Sequence, residues 1–303
     1  MDPRRQRRIQ RYGWDLAVEA YEALWQAPLA PAQAKLLERA SLAPGERVLD
    51  VAAGTGFVTF AAARSVGNDG LAVGVDLSGR MVETARLRAD VRRIGNVHFE
   101  RMDAARLELP DAGFDVALCA MGLMYTASPV QALREMRRVL RPRGRVVVSA
   151  WGEPSRCGLD AAFAAMRAEM KSDDLPGFIG LGKGEDLALA CREAGFAQEE
   201  THRVASTLDF AGDDEACDAA FHGGAIALAW SRQGDAERAR IRTRFLEAIG
   251  PWRRGRGYAV PAEFVVATGR APEARPRAQA ARGTSCVALA ETHIVPLHRR
   301  LRL

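Results

Sequence analysis

No apolar run in this 303-residue chain approaches the length of a membrane span, so a bilayer-crossing helix is excluded. The N-terminus is rich in arginine but lacks the apolar segment of a secretory signal; a mitochondrial presequence stays open. Lysine is scarce (Lys35, Lys171 and Lys183), although Lys and Arg together number 43. An Ala- and Arg-rich chain of this kind can follow from genome base composition. The five cysteines, Cys119, Cys157, Cys191, Cys217 and Cys286, are odd in number and scattered. No pair has the spacing of a metal clip, which argues against zinc, and a reduced, cytoplasmic setting is expected.

A uniform charge is missing as well. The net charge of +5 divides into +4 over residues 1–11, +5 over residues 270–303 and −4 over the body between them. A nucleic-acid enzyme carries its basic charge on a folded surface. Here the excess sits at the two ends, so no nucleic-acid partner is expected. With 48% hydrophobic residues there is ample material for a globular core.

What is present is a pattern of strand-end acids. Arg47-Val48-Leu49-Asp50 runs through small residues into Gly54-Thr55-Gly56, and a helical segment follows. This reads as a buried strand delivering a glycine loop to a helix N-terminus. A second apolar run ends in Asp76, 26 residues after Asp50, and a third in Asp103, 27 residues further on. One strand-plus-helix unit takes about 25–30 residues, so the three acids fall at the carboxyl ends of neighbouring parallel strands. That edge is where open α/β sheets bind ligands. A nicotinamide site would want G-x-G-x-x-G/A, and Thr59 stands at its last position.

Four stretches carry a resemblance: VLDVAAGTG (48–56), VGVDLS (73–78), RMDAARLELPDAGFDVALC (101–119) and LREMRRVLRPRGRVVVSAWG (133–152). In letters, order and spacing they resemble the class I S-adenosylmethionine-dependent methyltransferases. The nearest branch is the small-molecule enzymes related to the ubiquinone/menaquinone methyltransferases, and the likeness covers roughly residues 12–270. It implies S-adenosylmethionine as cofactor. Asp50 would anchor the amino-acid end, through its carboxylate, a loop amide or water. Gly54 and Gly56 would let the loop pass close to the methionine and ribose. Asp76, with Leu77 beside it, would accept from the ribose hydroxyls. Asp103 would accept from the adenine amino group, with Met102 and Ala104 flanking the ring. Cys119 and the residues after it would line the methyl-transfer channel.

The pattern predicts helices over 15–26 and 31–40, then strands over 47–52, 71–76, 97–102, 114–119 and 145–151. Helices over 57–66, 79–93 and 129–140 alternate with them, and residues 141–144 make a turn. Such alternation implies an α/β, doubly wound, Rossmann-like sheet. The resemblance adds an antiparallel closing pair, for which residues 201–210 and 259–268 are the candidates, making seven strands. Helices over 160–171, 185–194, 213–230 and 236–249 would form a cap. The expected domains are an N-terminal helical segment (1–40), the methyltransferase domain (41–270) and a basic, unstructured tail (271–303).

The cofactor site leaves the methyl acceptor open. Tyr12, Trp14, Tyr125, Trp151, His222 and Trp230 are the acceptor-pocket candidates; His222, or failing it Tyr125, is the candidate base, and His98 reads as structural. A small, hydrophobic or aromatic acceptor is expected, because Trp and Tyr dominate this set. The alternative is an S-adenosylmethionine-binding regulatory or assembly protein that transfers no methyl group.

Overall fold

The fold is described from a computed structural model, over residues 2–170, 175 and 180–273. Five strands run parallel: β1 (Arg47–Val51), β2 (Leu71–Asp76), β3 (Val97–Arg101), β4 (Phe114–Ala120) and β5 (Leu140–Trp151). Two long strands close the sheet, β6 (Ala197–Phe210) and β8 (Gly257–Arg270), each antiparallel to its neighbour. The spatial order is β3-β2-β1-β4-β5-β8-β6. It matches the expected doubly wound sheet with an antiparallel closing pair. A two-residue β7 (Arg253–Arg254) pairs with the start of β8 and raises the expected seven strands to eight among the described residues.

Helices α2 (Phe57–Val66), α3 (Gly79–Arg92) and α4 (Pro129–Val139) are the crossovers. Val48, Phe60, Ala72, Val82 and Phe99 pack one side of the sheet, and Leu49, Val73, Leu133, Met136 and Val148 pack the other. The turn expected at 141–144 is a bulge inside β5. Phe114 pairs with Leu140, the next pair is Val116 with Arg145, and Arg143 has a φ of 63°.

The N-terminus departs most from expectation. Two helices were predicted, yet α1 (Pro3–Ala40) is continuous over 38 residues. Pro3 stands in its first turn and the Asp2 carboxylate accepts from the Arg5 amide at 3.0 Å. Pro28 and Pro31, which favoured a break, lie inside the helix. Leu29, Ala32 and Leu36 are buried on the same stretch. Packing of that face outweighs the ladder bonds the prolines cannot make.

The helix expected over 213–230 is interrupted at Gly223-Gly224, giving α7 (Asp213–Phe221) and α8 (Ala227–Ser231). With α5 (Asp160–Glu169) and α9 (Asp235–Ile249) these build the cap, while α6 (Asp186–Glu193) packs beside α4 and β6. The basic tail, from residue 274 onward, lies outside the described residues.

Candidate functional site

The carboxyl ends of β1 to β5 open onto a cavity of about 520 Å³. Its floor is made by the strand ends: Ala52, Asp76, Met102, Met121 and Trp151. Its roof is one stripe of α1, from Arg7, Gln10 and Trp14 through Tyr21 and Trp25 to Leu29. Its far wall is the cap, with Leu159, Phe163 and the loop from Gly223 to Ile226.

Helix α1 is fastened over the strand ends by polar contacts. Arg7 Nη1 pairs with Asp103 Oδ2 at 3.0 Å. Asp15 Oδ1 accepts from Ser78 Oγ at 2.6 Å and from the Arg80 amide at 3.2 Å. Glu22 takes the Thr55 hydroxyl and the Arg88 guanidinium. Together they tie the roof to the glycine loop, to the turns after β2 and β3 and to α3.

The floor turns are tightly built. Ala52 and Met121 both sit at φ 59°, in the left-handed region that non-glycine residues avoid. Gly122 follows, and a Cβ there would stand 2.4 Å from Ala52 Cβ and 2.9 Å from Cys119 Sγ. Gly122→Ala should therefore cost about 1–3 kcal/mol of stability, read as a lower urea midpoint. An unchanged midpoint would show that the two turns are not in register.

Asp76 closes β2 at the cavity. It lines the cavity, with Oδ2 accepting from the Gly54 amide at 2.9 Å and Oδ1 from the Ser78 amide at 2.8 Å. Burial pushes its carboxyl above the ordinary range. Leu77, Met102, Asp103, Ala104 and Gly54 line the same cavity. Asp103 gives one oxygen to Arg7 and the other to the Ala105 amide. Each oxygen keeps a second lone pair, so a further donor can be accepted.

Asp50, Gly56 and Cys119 are not on the cavity wall. Asp50 is 1% exposed and opens on a recess of about 10 Å³ beside Tyr21, Ala52 and Ala53, room for about one water. Its Oδ2 accepts from Thr59 Oγ1 at 2.6 Å, and its Oδ1 has no partner. Desolvation raises its pKa to about 7, against the Thr59 hydrogen bond and with the Asp76 charge. Gly56 holds the start of α2 at φ 91°, where a Cβ would meet Phe60 and Phe99 at 2.8 Å. Cys119 is turned under the β4 turn, its thiol accepting from the Gly122 and Leu123 amides and pushed up in pKa by burial. Ala120, Met121 and Gly122 line the cavity in its place.

The acceptor candidates divide. Trp14, Tyr125 and Trp151 line the cavity. Trp14 makes edge contacts with Tyr21 at 5.8 Å and Tyr125 at 5.2 Å between centroids. The Trp151 indole donates to the Tyr125 hydroxyl, whose pKa burial drives upward. Tyr12 faces solvent, 47% exposed. Trp230 stacks on Phe221 at 4.5 Å inside the cap. His222, the candidate base, is not on the wall: Nε2 accepts from Trp230 Nε1 at 2.9 Å and Nδ1 meets Asp218 at 3.1 Å. With both ring nitrogens engaged outside the cavity, it is not placed to take a proton there. Gln10, Tyr21, Trp25 and Phe163 were missed. The spacing of Trp14, Tyr21 and Trp25 would have marked one helical stripe, had the first helix been read as starting before Trp14.

A family profile described as a methyltransferase domain matches residues 42–205. The chain belongs to the class I S-adenosylmethionine-dependent methyltransferases. The ubiquinone/menaquinone biosynthesis C-methyltransferase UbiE of Pseudomonas fluorescens is 30% identical over 187 residues, 57% of this chain and 73% of that protein. UbiE of Teredinibacter turnerae is 38% identical over 128 residues, 42% of this chain and 51% of that protein. The matched stretch thus spans about half the length of most of these relatives. The YcgJ protein of Bacillus subtilis shares the fold, with a TM-score of 0.57 at 19% identity over 80% of this chain and 99% of that one.

The acceptors present fit the family's cofactor. Asp50 offers an orphaned carboxylate oxygen below the glycine loop. Asp76 and Asp103 stand where ribose and adenine donors are expected, one strand apart. A cation bound beside the recess favours ionised Asp50, so its pKa should fall below about 7 on binding. Affinity for S-adenosylmethionine should then rise as pH rises through about 7, with proton release on binding. For the ligand-free chain the sign is opposite: this raised carboxyl favours the fold below its ordinary pKa and loses that contribution as pH rises through about 7. Calorimetry in buffers of different ionisation heat would detect the proton, and Asp50→Asn should flatten the profile. A wild-type profile already flat between pH 6 and 8 would remove Asp50 from the linkage.

Proposed function

We propose that this protein moves the methyl group of S-adenosylmethionine to a small, hydrophobic or aromatic acceptor. The observation that supports this most is the polarity split of one cavity. Asp76, Asp103 and the glycine loop lie at one end, and Trp25, Trp151, Phe163 and Ile226 wall the other. When bound, the cofactor supplies an activated methyl group on a sulfonium. The chain's own contribution is then to orient the acceptor and exclude water.

Asp76 and Asp103 hold the polar end, with Leu77, Met102 and Ala104 around the adenine. Trp25, Trp151 and Phe163 give an acceptor apolar surface. Tyr125 stands between the two halves. With its pKa raised and the Trp151 indole on its oxygen, it is a neutral phenol that positions rather than deprotonates. No histidine lines the cavity among the described residues. An acceptor whose nucleophile is available at neutral pH suits this wall best.

The test is turnover. Purified protein, S-adenosylmethionine and fractions of a cell extract should yield S-adenosylhomocysteine with the organic-soluble fractions. Tyr125→Phe should slow that turnover while leaving cofactor affinity unchanged. Cofactor binding without product from any fraction would favour a regulatory or assembly role and contradict methyl transfer.

A further inference from the structure

Gln10 is a buried polar residue left half satisfied. It lines the cavity from α1 and is 2% exposed. Its Oε1 accepts from Trp14 Nε1 at 3.0 Å. An indole nitrogen can only donate, so this bond fixes which end of the amide is oxygen. Trp14 is itself held between Tyr21 and Tyr125. The Gln10 Nε2 is therefore a directed donor, and it has no partner. A buried donor without an acceptor is costly and is retained where something else satisfies it.

The helix geometry says which half of the cavity Gln10 serves. Gln10 has Gln6 and Gly13 on one side of its face of α1 and Arg7 and Trp14 on the other. Gln6 Nε2 reaches the Thr126 carbonyl at 3.3 Å, in the turn after β4. Gly13 backs onto the cap, 3.6 Å from the Ala225 carbonyl to its Cβ position. Arg7, on the same roof face one turn before Gln10, is the residue that points to Asp103. Gln10 thus lies one turn further along α1 than Arg7, between the β4 turn that Gln6 reaches and the cap loop that Gly13 meets.

We propose that Gln10 reads the acceptor. Its amide donates to a hydrogen-bond-accepting oxygen on the apolar molecule in the aromatic half of the cavity, and Trp14 sets the amide's orientation. This rests on the methyltransferase reading above and narrows it: the acceptor carries a carbonyl, carboxylate or similar oxygen at the Gln10 end. A purely hydrocarbon ligand of the same shape leaves the donor unpaired and is discriminated against.

The probes are 2-acetylnaphthalene and 2-ethylnaphthalene, which differ at the one oxygen. Binding is followed by tryptophan fluorescence quenching in full-length protein saturated with S-adenosylhomocysteine. Wild type should prefer the acetyl compound by about tenfold or more, about 1.4 kcal/mol or above. Gln10→Met and Gln10→Leu each remove the donor and add no other. Each variant should bind the two probes within about twofold of one another, because the single added hydrogen bond is gone. Affinity for S-adenosylhomocysteine, by calorimetry, should stay at the wild-type value and report that the variants are folded.

Equal binding of the two probes by wild type would overturn the proposal, since solvent then satisfies the amide. A preference that survives in both variants would overturn it too. If the variants lose S-adenosylhomocysteine affinity and keep the preference, Gln10 belongs to the cofactor end. Failure of both probes with the cofactor product still bound refutes the acceptor half alone. Failure to bind S-adenosylhomocysteine refutes the methyltransferase reading itself.

Discussion

Asp76→Ala is expected to weaken S-adenosylmethionine binding by about ten- to a hundredfold, the loss of a charged acceptor worth roughly 1.5–3 kcal/mol. The carboxylate faces the cavity and is held by the Gly54 and Ser78 amides. It therefore needs no rearrangement to receive a ribose hydroxyl. Its raised pKa shows that burial alone disfavours the charge, and a bound donor offsets that cost. Removing it also leaves two amides without their acceptor, so Asp76→Asn is the companion variant. Asparagine keeps an acceptor for one amide and should fall between the wild type and alanine. Calorimetry at one fixed pH separates the three. Wild-type affinity in Asp76→Ala would take this residue out of the cofactor site.

Trp151→Ala should be the most damaging change to the fold among the cavity residues. Trp151 is 3% exposed, tilts against Phe264 at 4.9 Å and meets Trp25 edge-on at 6.0 Å. It sits at the end of β5 and pairs in register with Phe264 of β8. Truncation leaves a void between the floor, the roof and the closing strands, at a cost of about 3–5 kcal/mol. Against a total stability of about 5–15 kcal/mol, that is a large fraction. Urea denaturation should show a markedly lower midpoint. Trp151→Phe should recover much of the stability, yet it removes the donor to Tyr125. A Trp151→Ala midpoint equal to that of wild type would mean that the chamber is held open by other contacts.

The strand-end acids were legible in the sequence because spacing and residue type agreed. Asp50, Asp76 and Asp103 each close an apolar run at one βα repeat, and all three end at one edge of the sheet. What spacing could not show is which way each side chain turns. Asp50 and Cys119 end strands as expected, yet their side chains point beneath the turns, toward Thr59 and the Gly122 amide. The acceptor side was less legible. His222 drew notice as a histidine beside two glycines, but those glycines break the helix, and the loop they form reaches the cavity without it. The roof was obscured at its start, where Arg7, Gln10 and Trp14 lie before the helix expected from residue 15, while Pro28 and Pro31 favoured a break that burial of their face overrides.

The most direct measurement is a crystal structure of the protein with S-adenosylhomocysteine. The expected result is one ligand per chain in the cavity under α1. Its ribose should lie on Asp76, its adenine between Leu77, Met102 and Ala104 with the amino group on Asp103, and its sulfur toward the Tyr125 and Trp151 half. Ligand density elsewhere on the chain, or an inverted pose with the adenine among Trp25, Trp151 and Phe163, would contradict the assignment of the two halves.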